Sequence, residues 1–148
     1  MKREFNFHNI DVEVGDKEVK YVSKKATNGE RRMLGSMVTH IKHIMAGVME
    51  DYVYKLEVCN VHFPMTVSVE GDKMKIKNFF GEKVDRSSKI SDNVDVKVNG
   101  SEIVVSSFDK EAAGQTAANM EKATKITNRD RRIFQDGIFI TEKPGRNI

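Results

Sequence analysis

Two short stretches of this chain repeat one another, and the repeat restricts what it can fold into. "NIDVEV" (Asn9–Val14) returns as "NVDVKV" (Asn93–Val98). In both, apolar and polar residues alternate, the period of a strand with one buried face. Each run meets a turn signal, Gly15-Asp16 in the first copy and Asn99-Gly100 in the second, and then a second run, "KEVKYV" or "SEIVV". Asn-Gly tolerates left-handed backbone at both central positions of a tight loop, so a hairpin turning on Asn99-Gly100 is expected. A helical pattern follows each hairpin. Arg31–Met49 carries Leu34, Met37, Val38, Ile41, Ile44, Met45 and Val48 on one face. Lys110–Thr124 carries a thinner stripe, Ala112, Ala113, Thr116, Ala117 and Met120, with Asp109 placed as its cap and Phe108 as the residue that staples it. Small residues there let a helix lie close to a sheet. A strand pattern comes next in both copies: "DYVYKLEVCNV" after the first helix, and after the second the closing "IFQDGIFIT", expected as two short β segments about an Asp136-Gly137 turn.

A third hairpin, "FPMTVSVEGDKMKIKNF", lies between the copies with Gly71-Asp72 at its turn and Pro64 near its start, where a missing N–H is tolerated. The expected fold is therefore α+β: a tandem duplication of two small domains, each an antiparallel β-sheet packed against one α-helix. The boundary is expected near His62–Phe63, giving a first domain over 1–62 and a second over 63–148. A chain of 148 residues can bury one ordinary core or two very small ones.

Catalytic chemistry finds little support. His40 and His43 are spaced i, i+3, but a catalytic zinc site wants a third ligand and a positioned carboxylate, and His8 and His62 have no ligand spacing. Asp11 and Asp95 match across the repeat, yet each alternates with apolar residues and is expected to face solvent. "FFGEKVDRSS" lacks the two spaced glycines of a phosphate-cradling loop. With no nucleophile, base and orienter in any recognisable pattern, the expectation is a non-enzyme with no catalytic residue, no metal, no cofactor and no small-molecule substrate. The single cysteine, Cys59, excludes an internal disulfide and fits a buried small hydrophobe in a reducing compartment. The amino terminus "MKREFNFHNI" has no apolar h-region, and no apolar run approaches the ~18 residues needed to span a bilayer, so no membrane association is expected.

Charge is more informative. From Lys125 onward the bases are Lys125, Arg129, Arg131, Arg132, Lys143 and Arg146, against the acids Asp130, Asp136 and Glu142. That surplus of three equals the net +3 of the whole chain, so residues 1–124 are neutral. A localised surplus points towards a polyanion. Arg129, Arg131 and Arg132 precede the expected closing hairpin, and Lys143 and Arg146 follow it. A hairpin brings its ends together, so the two groups are expected to cluster, with Pro144-Gly145 ending regular structure and freeing the last residues to enter a groove. Arginine forks suit phosphate oxygens. The expected phosphate contacts are Arg129, Arg131, Arg132, Lys143 and Arg146, with Lys83 of "FFGEK" as a weaker candidate. Three tyrosines and no tryptophan argue against a reader of single-stranded sequence and favour recognition of folded RNA by shape and backbone. The alternative is a small non-catalytic protein-interaction module with an exposed sheet edge, whose basic end is incidental.

At "RRIFQDGIFITEK", together with "GQTAANMEKATKI", "NFFGEK" and "VHFPMTVSVEGD", the chain resembles the large-subunit ribosomal protein family called L-six in bacteria and L-nine in eukaryotes, in its archaeal/eukaryotic branch. The most specific part is R-x-F-x-D-G-aliphatic-aromatic-aliphatic, met by Arg132, Phe134, Asp136, Gly137, Ile138, Phe139 and Ile140. The resemblance covers essentially the whole chain. It implies a duplicated α+β fold and a structural, rRNA-binding constituent of the cytoplasmic large ribosomal subunit. It places the protein near the sarcin–ricin loop and the stalk base, among neighbouring large-subunit proteins, with the second domain making most rRNA contacts. Family members usually begin with a further segment that forms an early hairpin. Its absence predicts a shortened first domain with an exposed sheet edge.

Overall fold

The structure, a computed structural model, describes residues 10–15, 18–23 and 27–148. Along the chain run β1 (Asp11–Val14), β2 (Val19–Val22), α1 (Asn28–Met49), β3 (Tyr52–Cys59), β4 (Thr66–Glu70), β5 (Lys73–Lys77), a 3-10 turn (Phe79–Gly81), β6 (Arg86–Lys89), β7 (Asp95–Asn99), β8 (Glu102–Ser107), α2 (Lys110–Ala123), β9 (Gly137–Lys143) and β10 (Arg146–Asn147). Among the described residues every strand pairing is antiparallel, so the class is α+β. The order hairpin, helix, strand occurs twice, as β1-β2-α1-β3 and as β7-β8-α2-β9.

The chain divides into two compact units, residues 1–42 and 43–148. In the first, β1 and β2 form the expected hairpin, with Val14 opposite Val19; Asn9 and Asp16 lie outside the described residues. Helix α1 begins three residues before the expected Arg31 because Thr27 and Glu30 close a capping box. The Thr27 N–H donates to Glu30 Oε2 at 2.6 Å, and the Glu30 N–H donates to Thr27 Oγ1 at 3.4 Å. Its buried stripe is narrower than the apolar pattern suggests. Met37 is buried and Leu34, Ile41 and Ile44 are half-buried, whereas Val38, Met45 and Val48 stay exposed.

The second unit holds a five-stranded sheet in the order β10-β9-β3-β8-β7 and a three-stranded sheet β4-β5-β6. Its central strand is β3, with Leu56 opposite Ile103 of β8 on one side and Ile140 of β9 on the other. Tyr54, Leu56 and Val58 alternate into the core, where they meet Ile103, Val105, Ile138 and the small face of α2 formed by Ala113, Ala117 and Met120. Met74, Ile76 and Phe79 extend the same core under the smaller sheet. Asp109 caps α2 as expected, its Oδ1 accepting from the Glu111 N–H at 3.0 Å. The helix does lie close: a Cβ at Gly114 would stand 2.9 Å from Tyr54 Oη. At the end of α1 the approach is closer still, since a Cβ at Gly47 would fall 1.9 Å from the Phe108 carbonyl oxygen. Only glycine fits there.

The compact units divide between Lys42 and His43, and in the second β3 pairs with β8 on one edge and β9 on the other. Two sequence expectations shift. The β7–β8 loop is Gly100-Ser101, one residue later than Asn99-Gly100, since Asn99 still pairs with Glu102; only Gly100 needs left-handed backbone, at φ 63°. The Gly71-Asp72 hairpin forms as expected, but β6 is added to it, and "RSSK" carries no apolar alternation that would have announced a strand.

Candidate nucleic-acid interface

The carboxy-terminal segment is built differently from its sequence pattern. Asp136-Gly137 is not a hairpin turn. Gly137 is the first residue of β9, with φ of 156°, and a Cβ there would press on the Phe139 ring at 3.2 Å. Asp136 instead acts as a tie. The residue is 3% exposed; Oδ1 accepts the backbone N–H groups of Val61 and His62 at 2.6 and 2.7 Å, and Oδ2 meets His62 Nδ1 at 2.5 Å. Burial works to raise the Asp136 pKa, but the His62 N–H and ring and the Val61 N–H outweigh it and hold the carboxyl below its ordinary range. The turn of the closing hairpin is Pro144-Gly145, with Lys143 directly opposite Arg146 on β9 and β10. The chain end is paired: the Ile148 N–H donates to the Thr141 carbonyl at 2.9 Å. Proline does not free the end here; it turns it back.

The two basic groups therefore do not cluster. Arg129, Arg131 and Arg132 precede β9, and Lys143 and Arg146 sit at its far end. Seven residues of strand, Gly137–Lys143, separate them by roughly 20 Å. The cations also differ in state. Arg132 lays its fork on Asp130, with Nη2 to Oδ2 at 2.8 Å and Nε to Oδ1 at 3.2 Å. Arg129 is held by rings: its Cζ lies 4.9 Å from the centroid of Phe134 and 5.1 Å from that of Phe80. Arg131, Lys143, Arg146 and Lys83 are exposed, and none joins an ion pair among the described residues. Lys143 and Arg146 face each other as like charges across a strand pair, an arrangement that costs stability unless an anion relieves it.

Several contributors were not singled out from sequence. Phe80 packs with Phe63, Phe79, Phe134 and His62, and its backbone is left-handed at φ 51°, a strained state for a bulky residue. Arg86 ties the loop carrying Lys83 to the end of α2. It pairs with Glu82 at 2.6 Å, lies 4.3 Å over the Phe79 ring, and donates through Nη1 to the carbonyls of Ala123 at 3.0 Å and Lys125 at 3.3 Å. Arg86→Ala is expected to cost about 2 kcal/mol, from two helix-end carbonyls, one ion pair and one ring contact. Arg86→Lys should recover less than half of that. Urea unfolding of the three proteins checks it. No sequence signal marks either feature, because both depend on residues far apart in the chain.

The remaining candidates are accounted for. His43 lies edge-on to Tyr52, at 6.3 Å between centroids, with Nε2 3.5 Å from Lys110 Nζ. No group of three or more His, Cys, Asp or Glu is placed to hold a metal among the described residues. His8 lies outside them. Asp11 and Asp95 are both exposed. Cys59 is half-buried, and burial pushes its thiol pKa up, with Glu57 and Asp136 adding to the shift. Among the described residues, no helix is long and apolar enough to cross a membrane.

Comparison with known proteins gives concordant matches. Residues 63–137 match the family model for ribosomal protein L6. The large ribosomal subunit protein uL6 of Methanococcus vannielii is 44% identical over 146 residues, covering 99% of this chain and 80% of that protein. The uL6 protein of Archaeoglobus fulgidus is 42% identical over 142 residues, covering 96% of this chain and 72% of its own length. That of Methanosarcina mazei is 44% identical over 143 residues, covering 97% and 81%.

Proposed function

Because the chain belongs to the ribosomal protein L6 family, in its archaeal branch, we propose that it is a structural, non-catalytic constituent of the large ribosomal subunit in the cytoplasm. It works by binding: it neutralises rRNA phosphates and pins neighbouring RNA segments, beside other large-subunit proteins, in one geometry. Residues 63–148 carry most of the rRNA contact, near the sarcin–ricin loop and the stalk base. Arg129, Arg131, Arg132, Lys143 and Arg146 contact phosphates, with Lys83 contributing less.

The observation that carries this reading is the state of those cations. A folded protein gains nothing by itself from setting Lys143 opposite Arg146 or from leaving Arg131 exposed without an ion pair. The roughly 20 Å separation of Lys143 and Arg146 from the Arg129–Arg132 turn means two phosphate tracks, not one. Arg132 has to trade Asp130 for phosphate, so its contribution is the smallest of the three arginines.

Converting Arg131, Arg132 and Lys143 together to alanine should reduce the slope of log K against log salt by about two to three, roughly one per lost phosphate contact. Binding to an rRNA fragment, followed by filter retention over a salt series, reads this out. Unchanged affinity and slope would refute the assignment. Binding to structured RNA that ignores salt would favour the protein-interaction module instead.

A further inference from the structure

Beside the basic turn the second unit has a cleft of about 360 Å³, at the lower end of the size range of small-ligand sites. We infer that this cleft receives one unpaired nucleotide extruded from the RNA, with its base between Phe134, Phe139 and Ile126 and its phosphate on Arg131 and Lys125. The inference rests on the rRNA-binding reading and gives it a chemical detail: recognition of a base in addition to the backbone.

The floor and walls are apolar and half-buried, whereas Arg131 and Lys125 are exposed and join no ion pair among the described residues. The walls are fixed before anything binds. Phe134 is held by the His62 ring at 5.1 Å and by Arg129, while Phe139 lies against Gly137, where a Cβ would press on the ring at 3.2 Å. Preorganised rings lose little freedom on binding a flat ligand, and a stacked base adds about tenfold or more in affinity. The polar lining also discriminates. Glu121 lines the cleft, and a carboxylate repels a bare phosphate but accepts N–H groups from a base edge. Gln135 adds an amide that can donate or accept. A slot with apolar walls, one amide, a basic rim and two acids, of which Asp136 is already engaged by Val61 and His62, thus matches a nucleotide better than phosphate alone.

Cys59, the chain's single cysteine, lines the same cleft and reports its occupancy. The test uses the full chain and two RNA hairpins, one with a single unpaired nucleotide and one with that nucleotide deleted. The bulged RNA should bind about tenfold more tightly and, at equal occupancy, should slow alkylation of Cys59 while the paired RNA does not. A nucleoside 5′-monophosphate should protect Cys59 weakly and ribose 5-phosphate not at all. Filling the cleft with Gln135→Trp should abolish the difference between the two hairpins. Equal affinities with no Cys59 protection would overturn the cleft assignment and leave backbone binding standing. Protection by the free monophosphate but not by the bulged RNA would overturn it in favour of a free nucleotide. Failure of both RNAs to bind would overturn the underlying rRNA reading as well.

Discussion

Asp136→Ala is expected to lower the stability of the second unit by about 2–3 kcal/mol, the loss typical of removing hydrogen bonds to a charged group. The substitution takes away the shared acceptor of three donors: the N–H groups of Val61 and His62 and the His62 ring. It also releases the segment after β3 from the segment before β9, 75 residues apart in sequence. Asp136→Asn keeps one oxygen acceptor and should cost less. The same tie predicts an acid limb. The folded carboxyl titrates below its unfolded value, so its stabilisation is present above the ordinary carboxylate pKa of about 4 and is lost as pH falls through the folded pKa. Urea unfolding between neutral and acidic pH should show this component in the native chain and not in Asp136→Ala. A loss under about 1 kcal/mol at neutral pH would mean that the tie is incidental.

Residues 63–148 expressed alone are expected not to fold cooperatively, whereas residues 43–148 are. The shorter fragment begins where the sequence repeat suggests a domain starts, but it lacks β3. Without that strand β8 and β9 have no partner between them, and the core loses Tyr54, Leu56 and Val58. Removing a buried leucine side chain alone costs about 2–5 kcal/mol, and three such losses match the whole stability of an ordinary domain. Thermal melting by circular dichroism distinguishes the outcomes. A sharp transition in 63–148, close to that of 43–148, would show that β3 is dispensable.

Local signals read correctly where local forces decide. The alternation in "DVKV" and "SEIVV", the Gly71-Asp72 turn and the Asp109 cap all act within a few residues, and all were legible. The tail departs from its sequence pattern for the opposite reason. Asp-Gly favours a turn in isolation, but Asp136 spends its side chain on the backbone of residues 61 and 62, and the chain then enters β9 extended. Pro144-Gly145 looks like an end to structure and is a hairpin turn, because β9 runs long enough to offer a partner edge. The repeat correctly exposed the order of elements but not which sheet β3 joins, since strand partners are chosen across the whole unit. The charge surplus survived these changes because it depends only on composition; its geometry did not. The stacked Arg129 and the left-handed Phe80 were invisible from sequence, since both arise where three loops meet.

The central claim is that the face carrying residues 125–146 is an RNA-binding surface in the large subunit. An electron cryo-microscopy map of the native large subunit containing this protein tests it most directly. The account predicts rRNA phosphates within hydrogen-bond distance of Arg129, Arg131, Lys143 and Arg146, on two separate tracks at the two ends of β9. A map in which that face meets solvent or protein, with rRNA on some other surface of the chain, would contradict it.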